Sequence, residues 1–152
     1  MPTVYDVADY FLWKASETGE LLTNLKLQKL VFYAQAFHLA VFDKPLFQDD
    51  FEAWVYGPVC PTLYREYKEF GWNPICRDSI NKLNFTPDAE ELLEEISDLF
   101  LGESAYNLQR RTHREDPWAN ARQGLPPDTP SHNIISKETM KKYYKQFIVE
   151  EN

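Results

Sequence analysis

Apolar side chains occupy nearly every side of the helix predicted for residues 25–41, the most strongly patterned stretch of this chain. Thr23 is its predicted N-cap, and Asp43, Lys44 and Pro45 end it. A helix that is apolar all round belongs in the middle of a fold rather than on its surface. We therefore expect residues 25–41 to form an inward-lying rod that organises the core.

Polar residues interrupt this apolar helix at fixed points. A polar group that is buried in a core must find a hydrogen-bond partner or reach solvent. These positions are therefore the first candidates for a specific structural or binding role. They are Lys26, Gln28, Lys29, Gln35 and His38.

The same helical spacing, with capping residues in front of it, predicts the other helices. The predicted segments are residues 4–16, 59–70, 87–102, 105–114, 117–121 and a last helix that Ser136 begins. Residues 51–56 are rich in β-forming side chains and predict a short strand, which Gly57 and Pro58 end, and residues 75–80 predict a second. The pattern thus indicates a mainly α, single compact domain of six or seven helices with a small two- or three-stranded β-element.

Length and charge narrow the class of protein. A chain of 152 residues suits a single domain spanning residues 1–152. Its formal net charge of −8 disfavours nonspecific binding to nucleic acid or to an anionic membrane, and it favours a basic partner. No stretch approaches the roughly 20 apolar residues of a membrane span. Two cysteines without a zinc-ligand or CxxC spacing, and no secretory segment, predict a cytoplasmic protein with reduced thiols.

No catalytic or metal-binding motif is apparent in the sequence. The three histidines do not have a zinc-ligand spacing, so we expect neither a metal nor a cofactor. The five glycines form no phosphate-binding loop. An enzyme would need acid–base groups such as His38, His113 and Asp116 to meet in one pocket. The sequence favours a protein without enzymatic activity.

Two charged clusters each allow more than one interpretation. The acidic face of the 87–102 helix is either solvated or a dock for a basic partner. The basic cluster that follows it pairs with that acidic face, binds an acidic partner or contacts phosphate. Its members are Arg110, Arg111, His113, Arg114 and Arg122.

Aromatic residues gather around the end of the predicted strand. They either pack in the core beside the central helix or form an interface patch of the hot-spot kind. They are Trp54, Tyr56, Tyr64 and Trp72.

Blocks of motif residues run along the chain in order. The first is Leu22–Leu30 with the helical positions that follow it, the second is Glu52–Val59 with Tyr64, and the third runs from Leu108 to Ala121. Together they resemble the Panacea domain, a family that includes SocA-like antitoxins and GepA-like phage-associated proteins. The matching positions, which are also the candidate partner-binding positions, are Lys26, Gln28, Lys29, Tyr33, Gln35, His38, Trp54, Tyr56, Gly57, Pro58, Tyr64, His113 and Trp118.

This resemblance implies a mainly helical domain that neutralises a cognate toxin protein by binding it directly, with no catalytic residue. One branch of the family resembles a protease adaptor that delivers the bound toxin to a Clp-type protease. The alternative is a phage-associated protein that binds a host factor without a cognate toxin. The oligomeric state stays open.

Overall fold

The structure, a computed structural model, describes residues 1–148 and is mainly helical. Within these residues it has seven α-helices and three short strands, which confirms the predicted fold class. The elements are α1 Val4–Thr18, α2 Asn24–Phe42, β1 Phe51–Trp54, β2 Gly57–Val59, α3 Pro61–Tyr67, α4 Pro87–Phe100, α5 Ala105–His113, α6 Asp116–Ala121, β3 Ile134–Ile135 and α7 Lys137–Tyr144. Short 3-10 helices, Lys68–Phe70 and Lys145–Phe147, extend α3 and α7. No helix in the described part of the chain has the length and hydropathy needed to cross a bilayer.

Helix α2 is the centre of the fold. Fifteen of its nineteen residues are buried, and it contacts α1, α3, α4, α5, α7 and β2. The Thr23 side chain accepts a hydrogen bond from the Lys26 amide at 3.2 Å, and Asp43 ends the helix in the left-handed conformation at φ 60°. The predicted inward-lying rod is therefore confirmed, together with both of its ends.

Capping residues set the starts of four of the surrounding helices. Thr3 and Asp6 form a reciprocal capping box at the start of α1. The side chains of Thr86, Ser104 and Ser136 accept hydrogen bonds from backbone amides at the starts of α4, α5 and α7. Because these hydrogen bonds are local in sequence, the helix starts could be predicted from the sequence.

The sheet differs from the predicted one. Its strand order is β2-β1-β3, with β1 antiparallel to both neighbours. Gly57 and Pro58 do not end the β-element but belong to β2, where they lie opposite Trp54 and Ala53. Ile134–Ile135, for which we predicted no strand, supplies β3. The chain therefore turns back earlier than the sequence pattern indicated.

The segment 75–80 is not a strand in the described structure, so this prediction was wrong. The Ile75 amide donates to the Leu22 carbonyl at 2.7 Å, which ties the segment to the loop before α2. The side chains of Ile75 and Ile80 pack against the core from irregular backbone. Burial rather than strand pairing thus accounts for the apolar residues of this segment.

Candidate partner-binding site

Two polar residues of α2 hold the backbone of the β1–β2 hairpin. Gln28 is fully buried; its side-chain amide donates to the Asn24 side chain at 3.0 Å, and its Oε1 accepts from the Cys60 amide at 2.9 Å. The Nζ of Lys29 donates to the Pro58 carbonyl at 3.3 Å. These contacts fix β2 against the central helix.

Lys29 brings an amine into an apolar environment. Its side chain is 1% exposed, and no ion pair to it forms within residues 1–148. Burial therefore lowers the pKa of Lys29 to about 7. The hydrogen bond to the hairpin thus comes with a desolvation cost that depends on pH.

Replacing Lys29 with methionine is expected to change how stability depends on pH. The ordinary lysine pKa is 10.5 and that of folded Lys29 is about 7, so between these values the unfolded state binds more protons. The free energy of unfolding of the wild type therefore rises, relative to that of Lys29→Met, as the pH is raised through this window. Since one pKa unit corresponds to about 1.4 kcal/mol, the full change is on the order of 5 kcal/mol.

Urea titrations of both proteins across this pH range measure the difference. The control is Lys142→Met, which removes an exposed lysine from α7 and should give a curve parallel to that of the wild type. A difference between the wild type and Lys29→Met that stays constant with pH would contradict the burial of a titrating amine.

Two other polar residues of α2 secure the segment between α2 and β1. The side-chain amide of Gln35 donates to the Phe47 carbonyl at 2.7 Å, and its Oε1 accepts from the Leu46 amide at 2.7 Å. Nδ1 of His38 lies 2.7 Å from the Lys44 carbonyl oxygen. This segment leads directly into the hairpin, so its position also sets that of β1.

The remaining two motif residues of α2 contact helices on its far side. The Nζ of Lys26 donates to the Leu101 carbonyl at 2.5 Å, at the end of α4. The Tyr33 hydroxyl donates to Oε1 of Glu115 at 2.5 Å, and the Tyr144 hydroxyl donates to the same oxygen at 3.0 Å. Burial raises the pKa of Glu115, although both hydroxyls oppose the shift. These bonds tie α2 to α4, α6 and α7.

Trp118 and Arg122 support β1 from the inside. The His113 ring stacks on Trp118 with centroids 3.8 Å apart, and the Trp118 indole N–H donates to the Trp54 carbonyl at 2.7 Å. The Arg122 guanidinium lies 4.7 Å from the Trp118 ring centroid and donates to the Ala53 carbonyl at 2.9 Å. Burial lowers the pKa of His113, which favours the neutral ring in this stack.

Arg122 does not belong to a surface cluster, contrary to the sequence interpretation. It is 1% exposed. Its guanidinium also donates to the carbonyls of Pro126 and Thr129, so that it joins the loop after α6 to β1. A guanidinium with several donors in one plane suits this use, because it can satisfy several carbonyls at once.

The proposed pairing of the basic cluster with the acidic face of α4 is also wrong for the described residues. The ion pair found on α4 within residues 1–148 joins Glu90 to Lys82 at 2.7 Å. The Arg111 guanidinium instead lies 5.2 Å from the Phe100 ring centroid. The acidic face is thus largely left to solvent or to a partner.

The outer side of the hairpin carries an aromatic patch, which consists of Trp54, Tyr56, Tyr64 and Trp72. Trp54 packs edge-on against Tyr64 with centroids 5.0 Å apart, and Tyr56 packs edge-on against Trp72 at 5.6 Å. Trp72 is 71% exposed and Tyr56 is 42% exposed. Core packing beside α2 is therefore wrong for Tyr56 and Trp72, whose rings face solvent.

Glu52 and His132 join this patch, although we did not single them out from the sequence. Oε1 of Glu52 accepts from the Trp54 indole N–H at 2.9 Å and lies 3.1 Å from Nδ1 of His132. Strand alternation could have identified Glu52, because it lies two residues from Trp54 and therefore on the same face of β1. His132 comes from the distant loop before β3 and carries no such signal.

Most of the motif positions converge on the hairpin. Those on its inner or outer side are Gln28, Lys29, Trp54, Tyr56, Gly57, Pro58, Tyr64, His113 and Trp118. The others secure neighbouring segments from α2 and are Lys26, Tyr33, Gln35 and His38. The inner residues bind the hairpin to α2 and α6, and the outer ones give it an aromatic surface.

The groups that an enzyme would need do not meet in one pocket. His38 lines a groove near the first residues of the chain, whereas Asp116 lines a separate groove between α6 and α7. His113 is stacked on Trp118 behind the hairpin. Among residues 1–148, no group of three or more His, Cys, Asp or Glu side chains is placed to hold a metal ion. The surface around the hairpin is therefore the candidate site.

Residues 27–119 match the family model described as "Antitoxin SocA-like, Panacea domain". Because this match covers more than half of the chain, the protein belongs to that family. Antitoxin SocA of Caulobacter vibrioides (strain NA1000 / CB15N) is 38% identical to this chain over 76 residues, which are 50% of this chain and 40% of the relative. The chain thus matches less than half of that relative's length, and no solved structure matches it significantly.

The family to which the chain belongs is described by a function, that of an antitoxin. The description of the family and the name of the relative both identify an antitoxin. The matched range contains most of α2, the hairpin and the His113–Trp118 stack, which are the elements that build the candidate site.

Proposed function

We propose that this chain is an antitoxin that neutralises a toxin protein by binding it directly. The observation that carries this proposal is the match of residues 27–119 to the SocA-like antitoxin family. A relative named as an antitoxin, 38% identical over 76 residues, supports it. The geometry of the hairpin supports direct binding of the toxin.

The hairpin has the features of a protein-binding surface. Its backbone is fixed from within by Gln28, Lys29 and Trp118, so little conformational freedom is lost when a partner binds. Its outer side presents Tyr56 and Trp72, residue types that are enriched among interface hot spots. A stable complex of standard size would bury about 1,200–2,000 Å² in total.

Co-expression with the product of the adjacent gene tests the proposal. We expect that product to arrest growth when it is induced alone, and growth to resume when this chain is induced with it. The two proteins should then co-purify as a complex. Gly102→Ala is the matched control for Gly57→Ala: the first is expected to protect the cells like the wild type, and the second less well, because the added Cβ destabilises the hairpin.

The same assay separates two routes to neutralisation. Occlusion of the toxin leaves its cellular level unchanged, whereas delivery to a Clp-type protease lowers that level until the protease is removed. A toxin that stays free and lethal beside the folded chain would reject the proposal. A host factor bound in a phage context would then be the partner to seek.

A further inference from the structure

We infer that the toxin docks a basic segment into the groove beside α3 and places an arginine or lysine side chain against Trp72. This inference rests on the proposed function and adds to it the surface that is used and the chemistry of the partner. Three features carry it: the negative charge of the groove, the exposed ring of Trp72 two residues after the groove wall, and the net charge of the chain.

The groove runs beside α3 and the 3-10 helix that follows it. Its volume is about 440 Å³. Its walls come from Tyr5 and Asp9 of α1, from Glu66, Tyr67, Glu69 and Phe70, and from Cys76 and Arg77. Arg77 is the basic residue that lines it, and this residue already pairs with Asp9 and donates to the Tyr67 hydroxyl at 3.2 Å. The charge of Arg77 is therefore not available to neutralise the rest of the groove.

Two carboxylates keep their negative charge exposed in this groove. Glu66 and Glu69 are exposed and line it, and neither forms an ion pair within residues 1–148. Arg65 and Lys68 are exposed on the same segment but are not among the residues that line the groove. The groove is therefore complementary to a basic segment, as is the chain as a whole at −8.

Trp72 follows Phe70, which lines the groove, by two residues in the chain. The Trp72 ring is 71% exposed and is braced edge-on by Tyr56. Tryptophan is the aromatic side chain that attracts a cation most strongly over its face. An exposed tryptophan that closely follows two unpaired carboxylates in the chain therefore suits an arginine or lysine side chain better than an acidic or purely apolar one.

A pair of charge reversals tests the role of the groove. Glu66→Lys/Glu69→Lys changes the groove, whereas Glu91→Lys/Glu95→Lys changes the exposed face of α4, so both variants carry the same net charge. With the purified product of the adjacent gene as toxin, we expect about a tenfold or greater loss of affinity for the groove variant and about threefold or less for the control. Equal losses would overturn the inference, because net charge alone, or the acidic face of α4, would then explain binding.

A second pair of variants tests the aromatic contact. Trp72→Ala and Leu99→Ala each remove a large exposed apolar side chain, 71% and 62% exposed respectively. We expect Trp72→Ala to weaken the complex by about 30-fold and Leu99→Ala by about twofold or less, with both proteins as stable as the wild type. Similar small effects from both variants would count against a hot spot at Trp72.

Cys76 provides a readout in the unmodified protein. Its thiol is exposed and lines the groove, whereas Cys60 is buried. Iodoacetamide should alkylate Cys76 in the free chain and do so much more slowly in the complex, with Cys60 protected in both. A complex that neutralises the toxin but leaves Cys76 fully reactive overturns this inference and leaves the proposed function standing. The absence of any complex overturns both.

Discussion

Replacing Gln35 with alanine is expected to lower the free energy of unfolding by about 3–6 kcal/mol. The side chain is fully buried and uses both ends of its amide, donating to the Phe47 carbonyl and accepting from the Leu46 amide. Leu46 and Phe47 are themselves only 3% and 0% exposed, so water cannot readily replace the lost partner. Each backbone group left without a partner costs about 1–3 kcal/mol, and the cavity adds to this.

Gln35→Met separates the two contributions, because it fills most of the cavity and makes neither hydrogen bond. We expect it to lose nearly as much stability as Gln35→Ala in urea titrations. Gln48→Ala removes an exposed glutamine close by and should leave the free energy of unfolding within about 0.5 kcal/mol of the wild type. A loss for Gln35→Met as small as that of Gln48→Ala would show that the two hydrogen bonds contribute little.

The helices could be predicted because their determinants are local. Thr3, Thr86, Ser104 and Ser136 each accept from an amide within their own first turn, so the cap and its partner lie within a few residues of each other. The central position of α2 followed from a lack of any polar face, which is likewise a property of one segment. Capping residues and the pattern of apolar positions can both be identified in a single sequence.

The sheet could not be predicted in the same way, because its pairing is not local. β3 has two residues and pairs with β1, which lies about 80 positions earlier in the chain. No tight turn joins the two strands, so no local sequence signal indicates their pairing. Gly57 and Pro58 resemble a break, yet Pro58 is tolerated because β2 is an edge strand, where a missing donor need not leave a neighbour unpaired. Residues 75–80 have strand-like composition but pack without pairing.

The candidate site was predicted in part. The sequence showed that polar residues of α2 needed partners, but not that the partner of Lys29 is the Pro58 carbonyl or that of Gln28 the Cys60 amide. Arg122 looked like one of a basic surface cluster, because composition does not distinguish a solvated arginine from one that binds buried carbonyls. Partner identity depends on tertiary placement, and a single sequence carries little information about it.

Replacing Gly57 with alanine is expected to destabilise the protein by about 2–6 kcal/mol, because strain and overpacking act together. Gly57 has a φ of 99°, which side chains of L-residues rarely adopt. An added Cβ would lie 2.7 Å from Cε of Lys29 and 2.9 Å from Oγ1 of Thr112. Neither neighbour can withdraw easily, since both are 1% exposed and the Thr112 hydroxyl donates to the Gln109 carbonyl at 2.7 Å.

Gly102→Ala is the matched control, because nothing lies within 4 Å of an added Cβ there and its φ is not positive. Alanine at such a position restricts the unfolded chain and should stabilise the protein by up to about 1 kcal/mol. Urea titrations should therefore move the two variants in opposite directions. If Gly57→Ala proved as stable as the wild type, Lys29 would have to move away from the hairpin. That result would contradict the contact by which α2 supports the hairpin from within.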